Sequence, residues 1–293
     1  MNVLVTGTQG QLAQSLKRQM HGHENLSLNF FGRPELELEN PDNIVSLIQS
    51  EKPDVIINAA AYTAVDNAED ETEIAQAING IAPGIIASTA ADIGAKIIHI
   101  STDYVFNGEQ SHPYKETDFT GPTSVYGQTK LDGEQAVRAA NPHHAIIRTA
   151  WIYSPFGNNF VKTMLRLAAE RDELSVVHDQ IGNPTSALDI ADGILAMVSH
   201  WRGGEQTGLG ETFHLSGTGI ASWAEFAEAI FDANKKKGGA YCVVKKITSA
   251  EYPTKAKRPK NSALDCKKFQ DAFGYTAPRW QDSLLKVMQA SSF

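Results

Sequence analysis

Apolar residues in the first 150 positions fall into short runs that alternate with longer amphipathic stretches. The short runs are rich in Val and Ile and are bounded by Gly, Pro or polar residues, which is typical of buried strands. They predict strands at Val3–Val5, Leu26–Phe31, Val55–Asn58, Ile97–Ser101 and Ala145–Arg148. Helical spacing predicts helices at Gln11–Met20, Pro41–Ser50, Ile74–Ile93 and Lys130–Ala139. This alternation indicates an α/β fold with a parallel sheet and right-handed crossovers.

The pattern changes after residue 150. Helices are predicted at Phe160–Glu170, Ala187–His200 and Trp223–Asn234, and Gly-rich loops such as Arg202–Glu211 separate them. At roughly 150 residues per domain, a chain of this length accommodates two units. We therefore predict a Rossmann-like, doubly wound parallel sheet from residues 1–150 and about 185–212. A smaller C-terminal α+β substrate lobe is predicted from about residues 151–184 and 213–293.

Composition and charge narrow the classes of function. With 42% hydrophobic and 20% charged residues, the chain has the composition of a globular protein, which excludes disordered, collagen-like and disulfide-scaffold proteins. The formal net charge of -8 excludes a broad positive surface for nucleic acid or an anionic membrane. An anionic ligand must therefore be bound by local features of a site.

Cysteine usage and hydropathy predict a cytoplasmic protein without a metal centre. Cys242 and Cys266 lie in neither a CxxC motif nor a Cys/His cluster, so we expect a reduced compartment and no zinc site. A membrane span needs ~18 apolar residues, and we expect no window of the chain to approach that length. Met1 leads directly into the first predicted strand, so we expect no signal sequence.

The turn after the first predicted strand has glycine spacing that suits a nucleotide. Gly7 and Gly10 are followed by Gln11 and Leu12, with Ala13 in the place of a third glycine. Such glycines let backbone amides and a helix N-terminus approach a pyrophosphate. Two glycines also serve ordinary tight turns, but their position at the first strand-to-helix turn favours a cofactor.

The ends of the second and third predicted strands bear on which cofactor is bound. Where an NAD-binding sequence has a carboxylate for the ribose hydroxyls, this chain has Arg33, and a guanidinium suits the 2′-phosphate of NADPH. Glu37 and Glu39 nearby keep NADH possible. After the third strand, the small residues of segment 59–61 predict either room for a nicotinamide ribose or a buried crossover.

Tyr126 and Lys130 are the strongest catalytic candidates. Residues at i and i+4 share one helix face, where an ammonium can lower the pKa of a phenol. Such a phenol acts as general acid for a carbonyl that receives a hydride. An isolated pair of this kind is more often a surface contact. Here Thr102 ends the preceding strand, at the sheet edge where α/β proteins bind ligands, and we expect its hydroxyl to contact the substrate oxygen beside Tyr126.

Longer segments extend these signals into a family resemblance over nearly the whole chain. They are residues 7–12 (GTQGQL), 58–66 (NAAAYTAVD), 101–106 (STDYVF), 126–130 (YGQTK), 148–151 (RTAW), 157–160 (GNNF) and 258–262 (RPKNS). With them the chain resembles the extended short-chain dehydrogenase/reductases, and among these the nucleotide-sugar 4-ketoreductases. The resemblance implies reduction of the C4 ketone of dTDP-4-dehydro-L-rhamnose to dTDP-L-rhamnose by NADPH or NADH, for surface polysaccharide such as O-antigen.

The same resemblance implies roles for individual residues and domains. The catalytic set is Thr102, Tyr126 and Lys130. The cofactor-binding residues are Gly7, Gly10, Gln11, Leu12, Arg33, Ala59, Ala60, Ala61, Thr63, Tyr126 and Lys130. The substrate-binding residues are Thr102, Asp103, Tyr126, Trp151, Asn158, Asn159 and Arg258. The larger domain would bind NAD(P), and the smaller lobe the sugar nucleotide. Four of these residues have a structural alternative. Arg33 could be a solvent-exposed loop arginine, Trp151 could pack in the core, Asp103 could support a turn and Arg258 could be a loop charge.

Departures from the family pattern leave some alternatives open. Some members of this reductase family dimerise through magnesium held by carboxylates, but Ser15 and Leu188 occupy the corresponding positions here. Magnesium is therefore doubtful, and we expect a monomer or homodimer. Related 4,6-dehydratases have a Glu where Tyr104 follows Asp103, so elimination is not expected. Another nucleotide-sugar 4-ketoreductase, an epimerase, or a non-catalytic NADP-binding regulatory subunit remain the alternatives.

Overall fold

The structure is a computed structural model that describes residues 1–290. Residues 291–293, which end the predicted smaller lobe, lie outside the described residues. The strands are β1 (Asn2–Thr6), β2 (Ser27–Phe31), β3 (Val55–Asn58), β4 (Lys96–Thr102), β5 (His144–Thr149), β6 (Ile152–Tyr153), β7 (Glu173–Val177), β8 (Ile181–Gly182), β9 (Thr185–Ser186), β10 (Glu211–His214), β11 (Ala221–Ser222) and β12 (Val243–Ile247).

The helices alternate with the first strands and then dominate the second half of the chain. They are α1 (Gln11–Gln19), α2 (Pro41–Glu51), α3 (Val65–Ala68), α4 (Thr72–Ala75), α5 (Ala82–Asp92), α6 (Val125–Ala140), α7 (Phe160–Ala168), α8 (Ala187–Arg202), α9 (Trp223–Lys236), α10 (Lys267–Phe273) and α11 (Trp280–Ala290). A π-helical turn, Gln76–Ile81, joins α4 to α5, and 3₁₀ turns cover Asp103–Val105 and Ser249–Glu251.

The central sheet is parallel and has the order β10-β5-β4-β3-β1-β2. The five predicted strands are confirmed, and each end differs from the prediction by at most one residue. Strand β10 was not predicted, because its residues, ETFH, include one apolar side chain rather than an apolar run, and they follow a Gly-rich loop. The strand order reverses between β1 and β3, and doubly wound sheets bind ligands at the carboxyl ends of the strands at such a point. The predicted α/β fold class is thus confirmed.

Helices cover both faces of the sheet. On one face, Leu16 of α1, Ile194 of α8 and Phe269 of α10 are fully buried in one core. On the other face, Ile44 of α2 and Ile86 of α5 are fully buried in a second core. Side chains from α7, α9 and α11 form a third core away from the sheet. The domain boundaries stay a prediction, although α10, which the sequence assigns to the smaller lobe, packs on the sheet.

The helix that runs from Thr72 to Asp92 corrects one expectation. Within residues 1–290 it is the one helix that is long and apolar enough to cross a membrane, with a mean hydropathy of 1.2 over its most apolar window. Its residues are 56% buried over that window, and α5 packs between α2 and α6. The close approach to α6 is permitted by Gly84, where a Cβ atom would lie 2.9 Å from the Cβ of Ala136. This apolar segment is therefore a core helix of the α/β unit.

Candidate active site

A cleft of about 990 Å³ opens at the carboxyl ends of the strands, where the strand order reverses. The eleven residues predicted to bind the cofactor all line it: Gly7, Gly10, Gln11, Leu12, Arg33, Ala59, Ala60, Ala61, Thr63, Tyr126 and Lys130. Asn158, from the loop before α7, lines the same cleft. The tertiary structure thus gathers residues from five separate stretches of the sequence into one concave site, which is the usual form of a nucleotide pocket.

The turn between β1 and α1 has the geometry of an anion site. Gly7 has a φ of +92°, a conformation that favours glycine, and its amide donates to the carbonyl of Phe31 at 2.6 Å. A Cβ atom at Gly7 would lie 3.5 Å from the Cβ of Ala60, so the loops after β1 and β3 approach closely. Gly10 precedes α1 and supplies no side-chain cap, and the first turn of α1 has no acidic residue. The unpaired amides of this helix N-terminus fit the diphosphate of a dinucleotide.

Thr6 forms the hydrogen bonds that hold the loop after β3, and it was not among the predicted site residues. Its hydroxyl donates to the Oδ1 of Asn58 at 2.9 Å and accepts from the amides of Ala59 and Ala60 at 3.0 and 2.9 Å. The Nδ2 of Asn58 lies 3.1 Å from the Nδ1 of His99, and burial holds the pKa of His99 well below its ordinary value. His99 is therefore neutral, and its Nδ1 accepts. The only signal in the sequence was the polar residue that ends the first and the third apolar strand, Thr6 and Asn58.

Arg33 lies at the mouth of the cleft but is paired with a carboxylate. Its guanidinium forms an ion pair with Glu39, and both side chains line the cleft. The Arg33 side chain is 66% exposed, so the pair is easily exchanged for another anion. Arginine and glutamate thus occupy the same corner of the site, and the arrangement is compatible with either a 2′-phosphate or free ribose hydroxyls.

Helix α6 carries the two catalytic candidates in its first turns. Ser124 precedes the helix, and its hydroxyl accepts from the amide of Gly127 at 3.2 Å. Lys130 is buried, and its Nζ donates to the carbonyl of Ile100 in β4 at 2.7 Å. Tyr126 is half-buried and lies edge-on to Tyr104, with ring centroids 5.5 Å apart. The helix begins five residues earlier than predicted, which puts Tyr126 near its N-terminus.

The pKa values of this pair differ from the expectation that Lys130 lowers the pKa of the phenol. Burial raises the pKa of Tyr126 to about 12, opposed by a hydrogen bond to the side chain of Thr102. Burial also lowers the pKa of Lys130 to about 8, opposed by the nearby charge of Glu134. Desolvation therefore outweighs the charge effect that the spacing suggests. Tyr126 holds its proton at neutral pH, as a general acid must.

Thr102 and Asp103 are turned into the protein at the end of β4. The Thr102 hydroxyl donates to the Oδ1 of Asp103 at 3.0 Å and accepts from the amide of Tyr104 at 3.2 Å. Asp103 is 2% exposed, and burial raises its pKa to about 6. Neither residue lines the cleft, so Thr102 adjoins Tyr126 from behind and Asp103 supports the turn. The predicted contacts of Thr102 and Asp103 with the substrate stay predictions.

Trp151 has an unusual backbone and a defined partner. Its φ of +48° lies in the left-handed region, which is rare for a bulky residue and is found mainly at functional sites. Its ring stacks on Trp223 with a centroid distance of 3.5 Å and an angle of 6°. The other side of the ring lies against Gly182, where a Cβ atom would be 2.6 Å from the indole. Trp223 was not predicted as a site residue, because a tryptophan in the first turn of a helix is typical of a residue that packs in a core.

The two asparagines before α7 have different environments. Asn158 is in the cleft, whereas Asn159 caps α7 by accepting from the amide of Lys162 at 3.2 Å. The Nδ2 of Asn159 donates to the Oε1 of Gln11 at 3.2 Å and to the carbonyl of Ser154 at 2.9 Å. Asn159 therefore ties the second half of the chain to the glycine turn, and Asn158 is the member of the pair that faces the cleft.

A second cavity of about 610 Å³ contains Arg258. Phe160, Trp223 and Tyr252 contribute aromatic surface to it, and Arg258 contributes a guanidinium. The Nη2 of Arg258 donates to the Oδ2 of Asp66 at 2.8 Å, while its buried Nε has no hydrogen-bond partner among residues 1–290. Arg258 is therefore only partly neutralised by Asp66. The cavity combines flat apolar walls with one cation, which suits an aromatic base that bears a phosphate group.

Ser15 and Leu188, the two positions considered for magnesium, are not placed as metal ligands. Ser15 is buried and donates to the carbonyl of Gln11 at 2.8 Å, and Leu188 packs in the third core. Among residues 1–290, no group of three or more His, Cys, Asp or Glu side chains is arranged to hold a metal ion. Cys242 and Cys266 are both free thiols.

Known proteins resemble this chain over its full length. Residues 1–293 match the family described as RmlD substrate binding domain. A dTDP-4-dehydrorhamnose reductase of Sinorhizobium fredii is 46% identical over 290 residues, which cover 99% of this chain and 97% of that protein. The crystal structure of such a reductase from Clostridium acetobutylicum has a TM-score of 0.92 and 40% identity, and covers 99% of each chain. Another, from Bacillus anthracis in complex with NADP, has a TM-score of 0.91 and 36% identity over 99% of each chain. This chain therefore belongs to the dTDP-4-dehydrorhamnose reductase family.

Proposed function

We propose that this protein reduces the C4 ketone of dTDP-4-dehydro-L-rhamnose to dTDP-L-rhamnose with NADPH, and with NADH as an alternative donor. The observation that carries the proposal is the single cleft that holds Tyr126, Lys130 and the whole predicted cofactor set. Full-length relatives at up to 46% identity bear the name of this activity. The product would serve the synthesis of surface polysaccharide.

The reaction divides between the cofactor and two side chains. Bound NADPH supplies a hydride to C4, and the carbonyl oxygen takes up a proton. Tyr126 donates that proton, because burial keeps its phenol protonated at neutral pH. Lys130, buried and held by the carbonyl of Ile100 at 2.7 Å, provides a positive charge next to the developing oxyanion and the nicotinamide ribose. Thr102 orients Tyr126 through the hydrogen bond between their side chains.

The sugar nucleotide would occupy the space between this cleft and the second cavity. In this proposal Asn158 contacts the sugar, and the Trp151–Trp223 stack forms a wall of its site. Arg258 would bind the substrate diphosphate in exchange for Asp66, since its Nε has no hydrogen-bond partner in the described part of the chain. The lobe formed by about residues 151–184 and 213–293 would then be the substrate-binding domain.

The preference for NADPH over NADH tests whether Arg33 binds the 2′-phosphate. Replacing Arg33 with alanine is expected to raise the KM for NADPH about tenfold, because one charge-assisted contact to the 2′-phosphate is lost. The KM for NADH should change by less than about twofold. Glu39→Gln is the matched variant, since it frees Arg33 from its ion pair and should lower the KM for NADPH. Equal effects of Arg33→Ala on both cofactors would remove Arg33 from cofactor selection.

The direct test is loss of NADPH absorbance when the purified protein meets dTDP-4-dehydro-L-rhamnose, followed by identification of the sugar. Formation of dTDP-L-rhamnose supports the proposal. Turnover only with a different nucleotide 4-keto-6-deoxy sugar would identify another ketoreductase of this fold. Conversion of the sugar without net NADPH loss would indicate an epimerase, and NADPH binding without any turnover would indicate a regulatory subunit. A cytoplasmic location and a monomeric or homodimeric state are part of the proposal and need separate measurements.

A further inference from the structure

A buried charge cluster lies one helical turn beyond Lys130. Glu134 has a fully buried side chain, and its carboxylate accepts four hydrogen bonds. The donors are the Oγ of Ser101 at 2.6 Å, the Nε and Nη2 of Arg148 at 2.8 and 2.7 Å, and the Nη2 of Arg138 at 2.8 Å. A carboxylate so deeply buried is retained at a high desolvation cost, which a purely structural contact between apolar side chains would avoid.

This cluster is joined to the catalytic residues through consecutive positions of β4. The carbonyl of Ile100 accepts from the Nζ of Lys130 at 2.7 Å, and the next residue, Ser101, donates to Glu134. The residue after that is Thr102, whose side chain contacts Tyr126. Lys130 and Glu134 are themselves at i and i+4 of α6, on one face. The end of β4 is thus held to α6 at two adjacent positions, directly beside the residues that must meet at C4.

Glu134 also stands out among the charges around Lys130. Glu134 is the charged group that acts on the pKa of this lysine, and the lysine in turn acts on the pKa of His99 in β4. The neighbouring parts of α6, β4 and β5 also carry Tyr126, Arg138, Asp103, His144 and Arg148, while α3 and α4, which pack on α6, carry Asp66 and Glu73. The π turn and α5, which pack on α6, carry no charged residue between positions 76 and 91. Burial keeps His99 neutral. Glu134 is the negative charge that opposes the effect of burial on the Lys130 pKa.

We propose that Glu134 is a positioning residue for the reduction, which holds the end of β4 against α6 and keeps the Lys130 side chain charged at neutral and mildly alkaline pH. The inference rests on the proposed function, in which Lys130 acts as a cation. Without the carboxylate, Lys130 would remain buried but would lose the negative charge that opposes the effect of burial on its pKa. It would then lose its proton at lower pH.

The test is the pH dependence of kcat/KM for NADPH oxidation between about pH 6 and 9. In the wild type, activity should fall on the alkaline side as Lys130 loses its proton, near a pKa of about 8. In Glu134→Gln that alkaline limb should move to lower pH by about one unit, because a neutral amide no longer favours the ammonium. Near pH 6 the kcat/KM of the variant should approach that of the wild type. A uniform loss at every pH would overturn the charge role.

Variants of the neighbouring residues separate the two parts of the inference. Ser101→Ala keeps the charge of Glu134, so it should lower kcat about tenfold without moving the alkaline limb. Arg138→Gln touches the same carboxylate and should leave the limb in place. If Glu134→Gln does not fold, Glu134→Gln with Arg148→Met removes the unpaired arginine as well, and it should still show a limb displaced to lower pH.

The outcomes distinguish this inference from the proposed function. A wild-type protein that does not oxidise NADPH with the keto sugar contradicts the proposed function itself. An active wild type, together with a folded Glu134 variant whose alkaline limb is unchanged, contradicts only the role of Glu134. Thermal unfolding and NADPH titration of each variant, measured in parallel, establish that the compared proteins are folded and loaded.

Discussion

Replacing Tyr126 with phenylalanine is expected to lower kcat about 100-fold or more, the usual scale for loss of a general acid. The change removes one hydroxyl and keeps the ring that packs edge-on against Tyr104 at 5.5 Å. Because burial holds the pKa of Tyr126 at about 12, its phenol is protonated throughout the neutral range and is the proton source that the variant lacks. NADPH affinity should stay within about twofold, since the glycine turn and Lys130 are untouched. Absorbance assays with the keto sugar and fluorescence titration with NADPH measure the two quantities.

Tyr104→Phe is the matched control for this variant. It makes the same chemical change on the neighbouring ring, and Tyr104 does not line the cofactor cleft. Its kcat should therefore remain within a few-fold of the wild type. Equal kcat values for the two variants, or full activity of Tyr126→Phe, would show that the proton comes from another group.

The second large effect is expected from Gly127→Ala. A Cβ atom at Gly127 would lie 2.2 Å from the carbonyl oxygen of Tyr104 and 3.0 Å from the Cβ of Pro122. Both are parts of the packed loop before α6, so the first turn of the helix must move away from the end of β4. We expect the free energy of unfolding to fall by about 2–3 kcal/mol, the scale of an overpacked site. Activity should fall as well, since the displaced turn carries Tyr126. Denaturant unfolding and the NADPH assay measure these effects.

Gly121→Ala controls for the loss of a glycine in the same region. A Cβ atom there would lie 3.7 Å from the Cβ of Asn107, an ordinary contact distance. Its effect on unfolding should be within about 0.5 kcal/mol. If Gly127→Ala were equally mild, the close approach of α6 to the loop after β4 would not constrain the site.

The strands of the sheet can be predicted because the residue pattern that favours each strand lies within the strand itself. Four of the first five strands are runs of mostly buried apolar residues, and β2 is a partly exposed apolar run, so each can be identified within the run itself. Strand β10 shows the limit of this argument, because Glu211–His214 becomes a strand only by pairing with β5. The helix from Thr72 to Asp92 shows another limit, since its apolar length is equally suited to a membrane and to a core. Its packing against α2 and α6 decides between them.

The candidate site is predictable to the extent that it follows from residue type and strand order. The glycine turn, Thr102 and the Tyr126–Lys130 spacing predict the chemistry, because the carboxyl ends of parallel strands lie at one edge of the sheet and bring the segments that follow them close together. Sequence spacing does not predict how strongly the site is desolvated. The expected fall in the Tyr126 pKa is therefore replaced by a rise to about 12.

Residue type and spacing along the chain determined the α/β class, and they also predict the nucleotide turn and the catalytic pair. The tertiary structure alone decided that Asp103 turns inward, that Asn159 caps a helix while Asn158 faces the cleft, and that Trp151 stacks on Trp223. It also decided that Glu134, one helical turn after Lys130, is held by Ser101 and Arg148 from two different strands. The reason is physical: side-chain type and period are local properties, whereas burial, hydrogen-bond partners and the balance of charges depend on contacts between segments far apart in the sequence.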